Sequence, residues 1–323
     1  MAEPMSILNQ RPEPALLEEI ALLKAIDPAF VEKDWWVVQI IRRIASFQHE
    51  DFEIIFAGGT CLSKAYRLLQ RFSEDVDFRL LVPDSSPHRR SRTTLKRALS
   101  AYKKALVECL HTAGFPLAEQ HVKARNENRF LAIDIEYESA FPQSASLRPH
   151  VLLEITAQNP QLQPHYLPVS SFVNELTNQP AEVARIGCLD PVESAADKLS
   201  ALAWRVLDRV RDAQNDDPSL VRHLHDLARL QEKALAYSDF GALVEVAGQD
   251  ESRAKQVALV GLPLAEKLQQ MLETLQTDPH YPPEYDRFVK GVSYAPTGST
   301  PDYAKALQSL QALVESITQR PSL

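Results

Sequence analysis

The chain has 323 residues, of which 45% are hydrophobic and 24% charged, and a formal net charge of −8. These values are ordinary for a globular protein of two domains, and the acidic balance argues against a protein that coats nucleic acid. No apolar run reaches the about 18 residues of a membrane span. The three cysteines are unclustered, which predicts neither a disulfide framework nor a zinc site. We therefore expect a cytoplasmic protein without a membrane segment.

The first stretch, residues 1–14, contains three prolines and little periodicity, which predicts a flexible arm. Helical spacing of apolar residues begins near Ala15 and marks the start of the first domain. On the next predicted helix, the adjacent Trp35 and Trp36 are typical of core packing. We expect Lys33 on that helix to be exposed.

A strand, a glycine turn, a helix and a second strand follow. Residues 54–56 are β-branched and aromatic, which predicts a short buried strand. The turn at residues 58–60 combines two glycines with a hydroxyl residue suited to capping a helix. Apolar residues at helical spacing predict a helix over residues 62–72. Asp75 and Asp77 lie two positions apart on the second strand, so both carboxylates leave the same face.

Two carboxylates on one strand face repel each other unless a cation lies between them. Such hard oxygen ligands favour Mg²⁺, which binds one or two carboxylates together with phosphates and water. The upstream glycines let backbone N–H groups approach a phosphate at the positive end of the following helix. The stretch therefore predicts a site for a metal ion and a triphosphate. The alternative is a solvated edge strand after a glycine turn, and the Gly-Gly-Thr sequence at this distance favours the site.

A concentrated basic segment, residues 88–104, contains seven Arg or Lys residues and no acid. It predicts the start of a helix that ends near Gly114. Along that helix Arg89, Arg92 and Lys96 fall close to one face. Two interpretations stay open: a track for a polyanion, or a solvated face whose charges are balanced by acids elsewhere.

Two strands follow the basic helix. Residues 129–137 alternate between apolar and polar, and residues 150–156 form the next strand, which we expect to be antiparallel to it. Each carries a carboxylate among apolar neighbours, Asp134 in the first and Glu154 in the second. An ionised group in such a position needs a reason. Both are candidates for a third carboxylate beside Asp-x-Asp.

From residue 188 onward the pattern is almost entirely helical, which predicts a helical domain over residues 188–323. Its first helix places Lys198 and Arg205 seven residues apart, on nearly the same face. A short motif with one arginine, two histidines and one aspartate follows at residues 222–227. On composition alone these charges are surface residues, and two histidines two positions apart make a poor metal site.

The amino-acid sequence of several stretches resembles that of the AbiEii/AbiGii nucleotidyltransferase-like toxins of bacterial toxin–antitoxin systems. The central match is the Gly-Gly-Thr turn within residues 57–65, followed by Asp-x-Asp within residues 71–77. Further stretches agree with the family in order and spacing, at residues 32–36, 148–154, 197–202 and 222–227.

This resemblance implies an α/β (α+β) nucleotidyltransferase fold, with a mixed sheet flanked by helices over residues 15–187. The helical domain of residues 188–323 would complete the active-site cleft. The implied activity is transfer of a nucleoside monophosphate from an NTP to an acceptor hydroxyl. The implied biological role is that of a toxin in a bacterial toxin–antitoxin or abortive-infection system, neutralised by a cognate antitoxin protein.

The resemblance also implies ligands for metal and nucleotide. Asp75, Asp77 and Glu154 would hold two Mg²⁺ ions, with Asp134 as the second candidate for the third carboxylate. Lys33 is a further candidate for contact with the nucleotide. The implied nucleotide-binding residues are Gly58, Gly59, Thr60, Lys64 and Ser73.

In the helical domain the family places a lysine and an aspartate in the active site, and the match assigns these roles to Lys198 and Asp226. Lys198 would clamp the triphosphate. Asp226 would either orient Lys198 or contact the base. Asp197 departs from the glutamate that is common before the lysine, and Asp212, in an inserted acidic loop, is a weaker candidate for the aspartate.

For the acceptor, the resemblance implies an RNA, in particular a tRNA end, bound through Arg89, Arg92 and Lys96. One alternative is a small-molecule nucleotidyltransferase of the antibiotic-modifying kind, which would share the same metal site. Another is a binding partner with a degenerate site. The complete set of acidic and basic site residues argues against degeneracy.

Overall fold

The computed structural model describes residues 11–83, 91–115, 117–142, 144, 147–214, 216–249, 261–296 and 298–319. The chain divides into two compact units. The first contains the chain up to residue 67 and residues 72–189. The second contains residues 68–71 and the chain from residue 190 onward.

A mixed sheet forms the centre of the first unit and has seven strands within the described residues. In chain order they are β1 (Glu53–Ala57), β2 (Asp75–Leu81), β3 (Val122–Arg125), β4 (Phe130–Glu136), β5 (His150–Thr156), β6 (His165–Val169) and β7 (Val183–Cys188). They lie in the order β3-β4-β5-β2-β1-β7-β6. The pairs β2–β5 and β1–β7 are parallel, and the other pairs are antiparallel. This mixed α/β sheet confirms the fold class predicted from the sequence.

The helices of the first unit are α1 (Pro14–Lys24), α2 (Pro28–Ser46), α3 (Gly58–Lys64), α4 (Arg92–Thr112) and α5 (Phe172–Leu176). The start of α2 is well specified, because Asp27 accepts a hydrogen bond from the Ala29 N–H at 2.8 Å and proline occupies the first helical position. Trp35 and Trp36 are both buried, as expected, and their rings pack edge to face with centroids 4.8 Å apart.

The two faces of the sheet differ in character. On β5 the residues Val151, Leu153 and Ile155 are buried, whereas the alternate residues, Glu154 among them, are only partly buried. β2 alternates in the same way from Asp75 to Phe78, although Arg79, on the same face as Asp77, is buried. Because side chains alternate between faces, one face of β2 and β5 belongs to the core and the other carries polar groups.

The glycine turn opens a shorter helix than the apolar spacing predicts. α3 ends at Lys64, although apolar residues continue at helical spacing as far as Phe72. Arg67 adopts a left-handed conformation with a φ of 56°, which a right-handed helix does not accommodate. The prediction of a helix over residues 62–72 is therefore wrong beyond Lys64.

Three short elements of the first unit, β3, β6 and α5, have no counterpart in the sequence prediction. β3 and β6 are the two edge strands and are largely exposed. An edge strand has one partner and little core to cover, so its apolar alternation is weak. The predicted arm is described only from residue 11, and α1 begins at Pro14.

The second unit is helical and contains α6 (Pro191–Leu207), α7 (Arg222–Ala236), α8 (Phe240–Gly248), α9 (Leu264–Thr277), α10 (Tyr281–Val292) and α11 (Tyr303–Thr318). Leu199, Leu227 and Leu310 are fully buried in its core. The segment of residues 68–71 belongs to this unit, and the Tyr294 N–H donates to the Gln70 carbonyl at 3.1 Å. Of the helices that the structure describes, none is long and apolar enough to cross a membrane.

Candidate active site

The turn between β1 and α3 lies directly against Asp77. Ala57, the last residue of β1, pairs with Asp77 in the antiparallel register of β1 and β2. Gly58 follows with a left-handed φ of +74°, and a Cβ added to it would lie 1.9 Å from Asp77 Oδ2. Side chains avoid both that distance and that backbone conformation, so glycine is required here. Gly58 thus brings the chain close beside one of the predicted metal ligands.

The predicted metal ligands share one face of the sheet. In the parallel register of β2 and β5, Asp77 lies opposite Glu154, and Asp75 lies opposite Leu152. Since alternate residues of a strand share a face, Asp75, Asp77 and Glu154 all leave the polar face. All three side chains are partly buried.

Asp134, the other candidate for the third carboxylate, lies one strand further away. It pairs with Leu152 in the antiparallel register of β4 and β5 and so leaves the same face. Its carboxylate accepts a hydrogen bond from Lys123 Nζ at 2.9 Å and lies 3.5 Å from His150 Nε2. The register therefore places Glu154, rather than Asp134, beside Asp77.

Asp75 and Asp77 supply the oxygen ligands that Mg²⁺ prefers. Among the described residues, no group of three or more His, Cys, Asp or Glu side chains is close enough to hold an ion by itself. Mg²⁺ does not need such a cage, because one or two carboxylates suffice when phosphates and water complete the shell. The donor type and the Gly58 backbone beside Asp77 fit an ion of this kind. The ligand role of Glu154 and the second ion stay predictions.

Thr60 has a structural contact that the sequence does not predict. Its hydroxyl is buried and donates to the Asp75 carbonyl, with the Ser73 carbonyl at 3.4 Å. Thr60 does not cap α3, since the N-cap is Ala57 and no side chain caps the helix. Its hydroxyl instead fixes the start of β2. Phosphate binding by Gly58, Gly59, Thr60 and Ser73 stays a prediction.

Lys64 is expected at the triphosphate, but the structure gives its charge another partner. It is 6% exposed, and its Nζ lies 2.7 Å from Asp34 Oδ1 and 4.0 Å from the centre of the Phe172 ring. Burial raises the pKa of Asp34, and the Lys64 charge opposes that shift. In this structure Lys64 is thus a buried ion-pair partner of Asp34, and its nucleotide-binding role stays a prediction, since phosphate binding would draw the lysine charge away from that buried carboxylate.

Lys33 is fully buried, and the expectation that it is exposed is wrong. Its Nζ donates to Glu74 Oε2 at 2.5 Å and to the Arg148 carbonyl at 2.6 Å. Burial lowers the pKa of Lys33, and the Glu74 carboxylate opposes this shift. These contacts leave Lys33 a structural partner of Glu74, the residue directly before Asp75.

Sequence reasoning missed that α2 carries three consecutive buried charges. Glu32 accepts hydrogen bonds from Arg11 and from the Ala140 N–H, and Asp34 accepts one from the Phe172 N–H at 2.7 Å. Lys33 holds Glu74. Each charge thus fixes a different segment around the sheet. The sequence does carry a signal for this burial, because apolar residues flank the three charges on both sides and leave this part of α2 without a polar face.

The second unit holds a buried cluster of charges around Asp226 on α7. Lys198 on α6 places its Nζ 2.8 Å from Asp226 Oδ2. Arg71 donates to both oxygens, from Nε to Oδ1 at 2.7 Å and from Nη2 to Oδ2 at 2.6 Å. The sequence motifs identify Lys198 and Asp226 as site residues but miss Arg71. Its only indication in the sequence is that it begins the matched stretch that contains Asp-x-Asp.

The charge state of Asp226 follows from these neighbours. Burial alone would raise its pKa, but the charges of Arg71 and Lys198, with hydrogen bonds from Arg71 and His225, hold the pKa well below its usual range. Asp226 is therefore ionised at neutral pH. Since two cations already engage the carboxylate, the geometry favours orientation of Lys198 over contact with a base.

Asp212, the weaker candidate for the aspartate, and the neighbouring His223 both differ from Asp226. Asp212 is exposed, with a left-handed φ of 61°. Burial and the nearby charges of Arg222 and Lys198 lower the pKa of His223 well below its usual value, so His223 is neutral at pH 7. Asp226 is thus the buried carboxylate at Lys198.

The structure describes part of the basic segment, from residue 91 onward. Arg89 lies outside the described residues. Arg92 is 80% exposed and donates from Nε to Glu127 Oε2 at 2.7 Å, and Lys96 is exposed one turn further along α4. Glu127 thus balances Arg92, which is one of the five described cations of the segment. Both interpretations of the segment stay open.

A mixed sheet with a glycine turn against an Asp-x-Asp strand is the arrangement of the nucleotidyltransferase fold. The family model described as nucleotidyl transferase AbiEii toxin, type IV toxin–antitoxin system, matches residues 39–309. This match spans most of the chain, so the protein belongs to the AbiEii family of nucleotidyltransferase toxins, as its sequence motifs predict.

A solved structure supports the fold. The chain is similar to MenT4, the nucleotidyltransferase toxin Rv2826c from Mycobacterium tuberculosis H37Rv, with a TM-score of 0.55 and 16% sequence identity. The similarity covers 94% of this chain and 89% of MenT4. At that identity it supports the fold alone and assigns no residue a role. A comparison with curated proteins gives no match.

Proposed function

We propose that this nucleotidyltransferase toxin transfers a nucleoside monophosphate from an NTP to a hydroxyl group of an RNA, in particular a tRNA end, in a Mg²⁺-dependent reaction. The observation that carries the proposal is the carboxylate face. Asp75 and Asp77 share one face of β2, Glu154 lies opposite Asp77, and glycine is required where the chain passes Asp77. Such a face serves nucleotidyl transfer because metal and phosphate positioning supply most of the catalysis.

In the proposed reaction the hydroxyl oxygen bonds to the α-phosphorus of the NTP. The bond from that phosphorus to the oxygen bridging the α- and β-phosphates breaks, and pyrophosphate leaves. Asp75 and Asp77 would hold Mg²⁺, with Glu154 as a ligand of a second ion, and the bound metal would neutralise charge on the phosphates. Glu154 would also accept the proton of the attacking hydroxyl.

The other residues of the site support this reaction in different ways. Gly58 and Gly59 would approach the phosphates through their backbone N–H groups. Thr60 and Ser73 would act indirectly, since the Thr60 hydroxyl fixes the start of β2. We propose that Lys198 takes part in nucleotide binding, with its ammonium group oriented by Asp226.

The RNA acceptor is supported by the concentration of basic residues before and within α4, Arg89, Arg92 and Lys96 among them. The family implies a cognate antitoxin protein as a partner. Both belong to the proposal, as do the number of metal ions and the choice of tRNA.

The test is an incubation of the protein with each NTP labelled at the α-phosphate, Mg²⁺, and either total RNA or a panel of hydroxylated antibiotics. We expect label on RNA, no label with EDTA, and no label with Asp77→Asn. Asp134→Asn is the matched control, because it makes the same change on the same face but at a carboxylate paired with Lys123. Label on an antibiotic and none on RNA would replace the RNA acceptor with a small molecule.

A further inference from the structure

Arg148, two residues before the start of β5, has a fixed main chain. Its N–H donates to Glu74 Oε2 at 2.9 Å, and its carbonyl accepts a hydrogen bond from the buried Lys33 at 2.6 Å. Pro149 follows and restricts the backbone of Arg148 to extended conformations. The Cα of Arg148 is therefore held in place from both sides.

The side chain of Arg148 is far less enclosed. It is 46% exposed, and its Nη1 lies 2.5 Å from Asp75 Oδ1. Its Nε lies 3.8 Å from Glu74 Oε1, so the guanidinium spans two neighbouring carboxylates. A guanidinium on a fixed main chain thus rests on one of the two carboxylates proposed to hold the metal.

A divalent ion and the guanidinium compete for the same carboxylate. An exposed arginine–carboxylate pair is weak enough for a divalent cation to replace it. The freed guanidinium would stay near, because its main chain is fixed by Glu74 and Lys33. Its planar set of N–H donors matches phosphate oxygens in shape and charge.

We propose that Arg148 is an exchange residue of the transfer site: it neutralises Asp75 until a divalent ion takes that carboxylate, and then donates to the phosphates of the bound nucleotide. This inference rests on the proposed function and adds a residue to it. It predicts effects of opposite sign when Arg148 is replaced. The ion alone should bind more tightly, and the nucleotide with its ion should bind more weakly.

The test measures Mn²⁺ binding to the full-length protein without nucleotide, by the electron paramagnetic resonance signal of free Mn²⁺. For Arg148→Gln we expect roughly twofold to fivefold tighter Mn²⁺ binding. Calorimetry with a non-reactive α,β-methylene NTP and Mg²⁺ should show binding weakened by about tenfold. Arg148→Lys keeps a cation and should fall between wild type and Arg148→Gln in both measurements. Arg125→Gln, at an exposed arginine of β3, is the control and should change neither.

A structural role would move both affinities in the same direction, together with the melting temperature. Mn²⁺ binding that is unchanged or weaker in Arg148→Gln overturns the inference. If that variant fails to fold, the inference is overturned when Arg148→Lys binds Mn²⁺ no more tightly than wild type. A different result tests the proposed function itself. If wild type binds no Mn²⁺, or binds it equally well after Asp77→Asn, the proposed metal site fails and this inference fails with it.

Discussion

Replacing Gly58 with alanine tests how closely the turn fits Asp77. The added methyl group would lie 1.9 Å from Asp77 Oδ2 and 2.8 Å from its Cβ, at a φ of +74°. The left-handed backbone costs an L-residue roughly 1–2 kcal/mol, and forcing a group into filled space adds about 1–3 kcal/mol. We therefore expect the free energy of unfolding to fall by roughly 2–5 kcal/mol.

Gly298→Ala is the matched control, because Gly298 has a φ of +82° and no described atom lies within 4 Å of its added Cβ. It should lose only the backbone part, roughly 1–2 kcal/mol. Urea unfolding followed by circular dichroism measures both losses. Adding Asp77→Ala to Gly58→Ala removes the carboxylate and should recover about 1 kcal/mol or more of the steric part. Equal losses for the two glycine variants would refute the inference that Asp77 fills the space beside Gly58.

Three further predictions concern the charged residues. Asp226→Asn leaves Arg71 and Lys198 without their carboxylate and should lower stability at pH 7 by about 3–5 kcal/mol. The pKa of Asp226 is depressed in the folded state, so its ionised carboxylate stabilises the fold above the unfolded pKa, and this stabilisation is lost as the pH falls through the folded pKa. The difference in unfolding free energy between wild type and Asp226→Asn should therefore shrink below about pH 4. A difference that grows there would contradict this. Lys198→Ala should abolish growth inhibition by the toxin expressed without antitoxin, while Lys233→Ala, at an exposed lysine of α7, should leave it intact, and equal toxicity would limit Lys198 to packing. Changing Arg89, Arg92 and Lys96 together to Glu should abolish RNA labelling and spare Mg·NTP binding, and labelling that survives would place the RNA elsewhere.

The central strands are predictable from the sequence because their cause is local. Alternation between apolar and polar residues defines β4 and β5 to within one residue at each end, and the antiparallel pairing of β4 with β5 is as expected. The same period of two places Asp75 and Asp77 on one face. The register that brings Glu154 opposite Asp77 is non-local, and the sequence offers it only as one of two candidates.

The ion pairs are not predictable in the same way, because their partners are distant in sequence. Lys64 looks like an exposed cation on an amphipathic helix until Asp34, on α2, is placed beside it. Arg71 pairs with a carboxylate 155 residues further along the chain. Such pairs depend on how helices pack, and a single sequence does not encode that packing in any local period.

The end of α3 shows the limit of periodicity itself. Apolar positions continue at helical spacing beyond Lys64, yet Arg67 turns left-handed and the next four residues join the second unit. Their contacts, such as that of Arg71 with Asp226, outweigh the local preference for helix. Apolar residues at helical spacing can thus also belong to a segment whose residues pack in two different units, as residues 62–72 do.

The measurement that tests nucleotidyl transfer most directly follows two labels on the same NTP. The protein is incubated with Mg²⁺, an RNA that accepts label, and an NTP labelled at either the α- or the γ-phosphate. Nucleotidyl transfer predicts α-label on the RNA and γ-label in pyrophosphate, with both products lost in Asp77→Asn and retained in Asp134→Asn. Label from the γ-phosphate on the RNA, or undiminished transfer by Asp77→Asn, would contradict the assignment of the reaction to this carboxylate face.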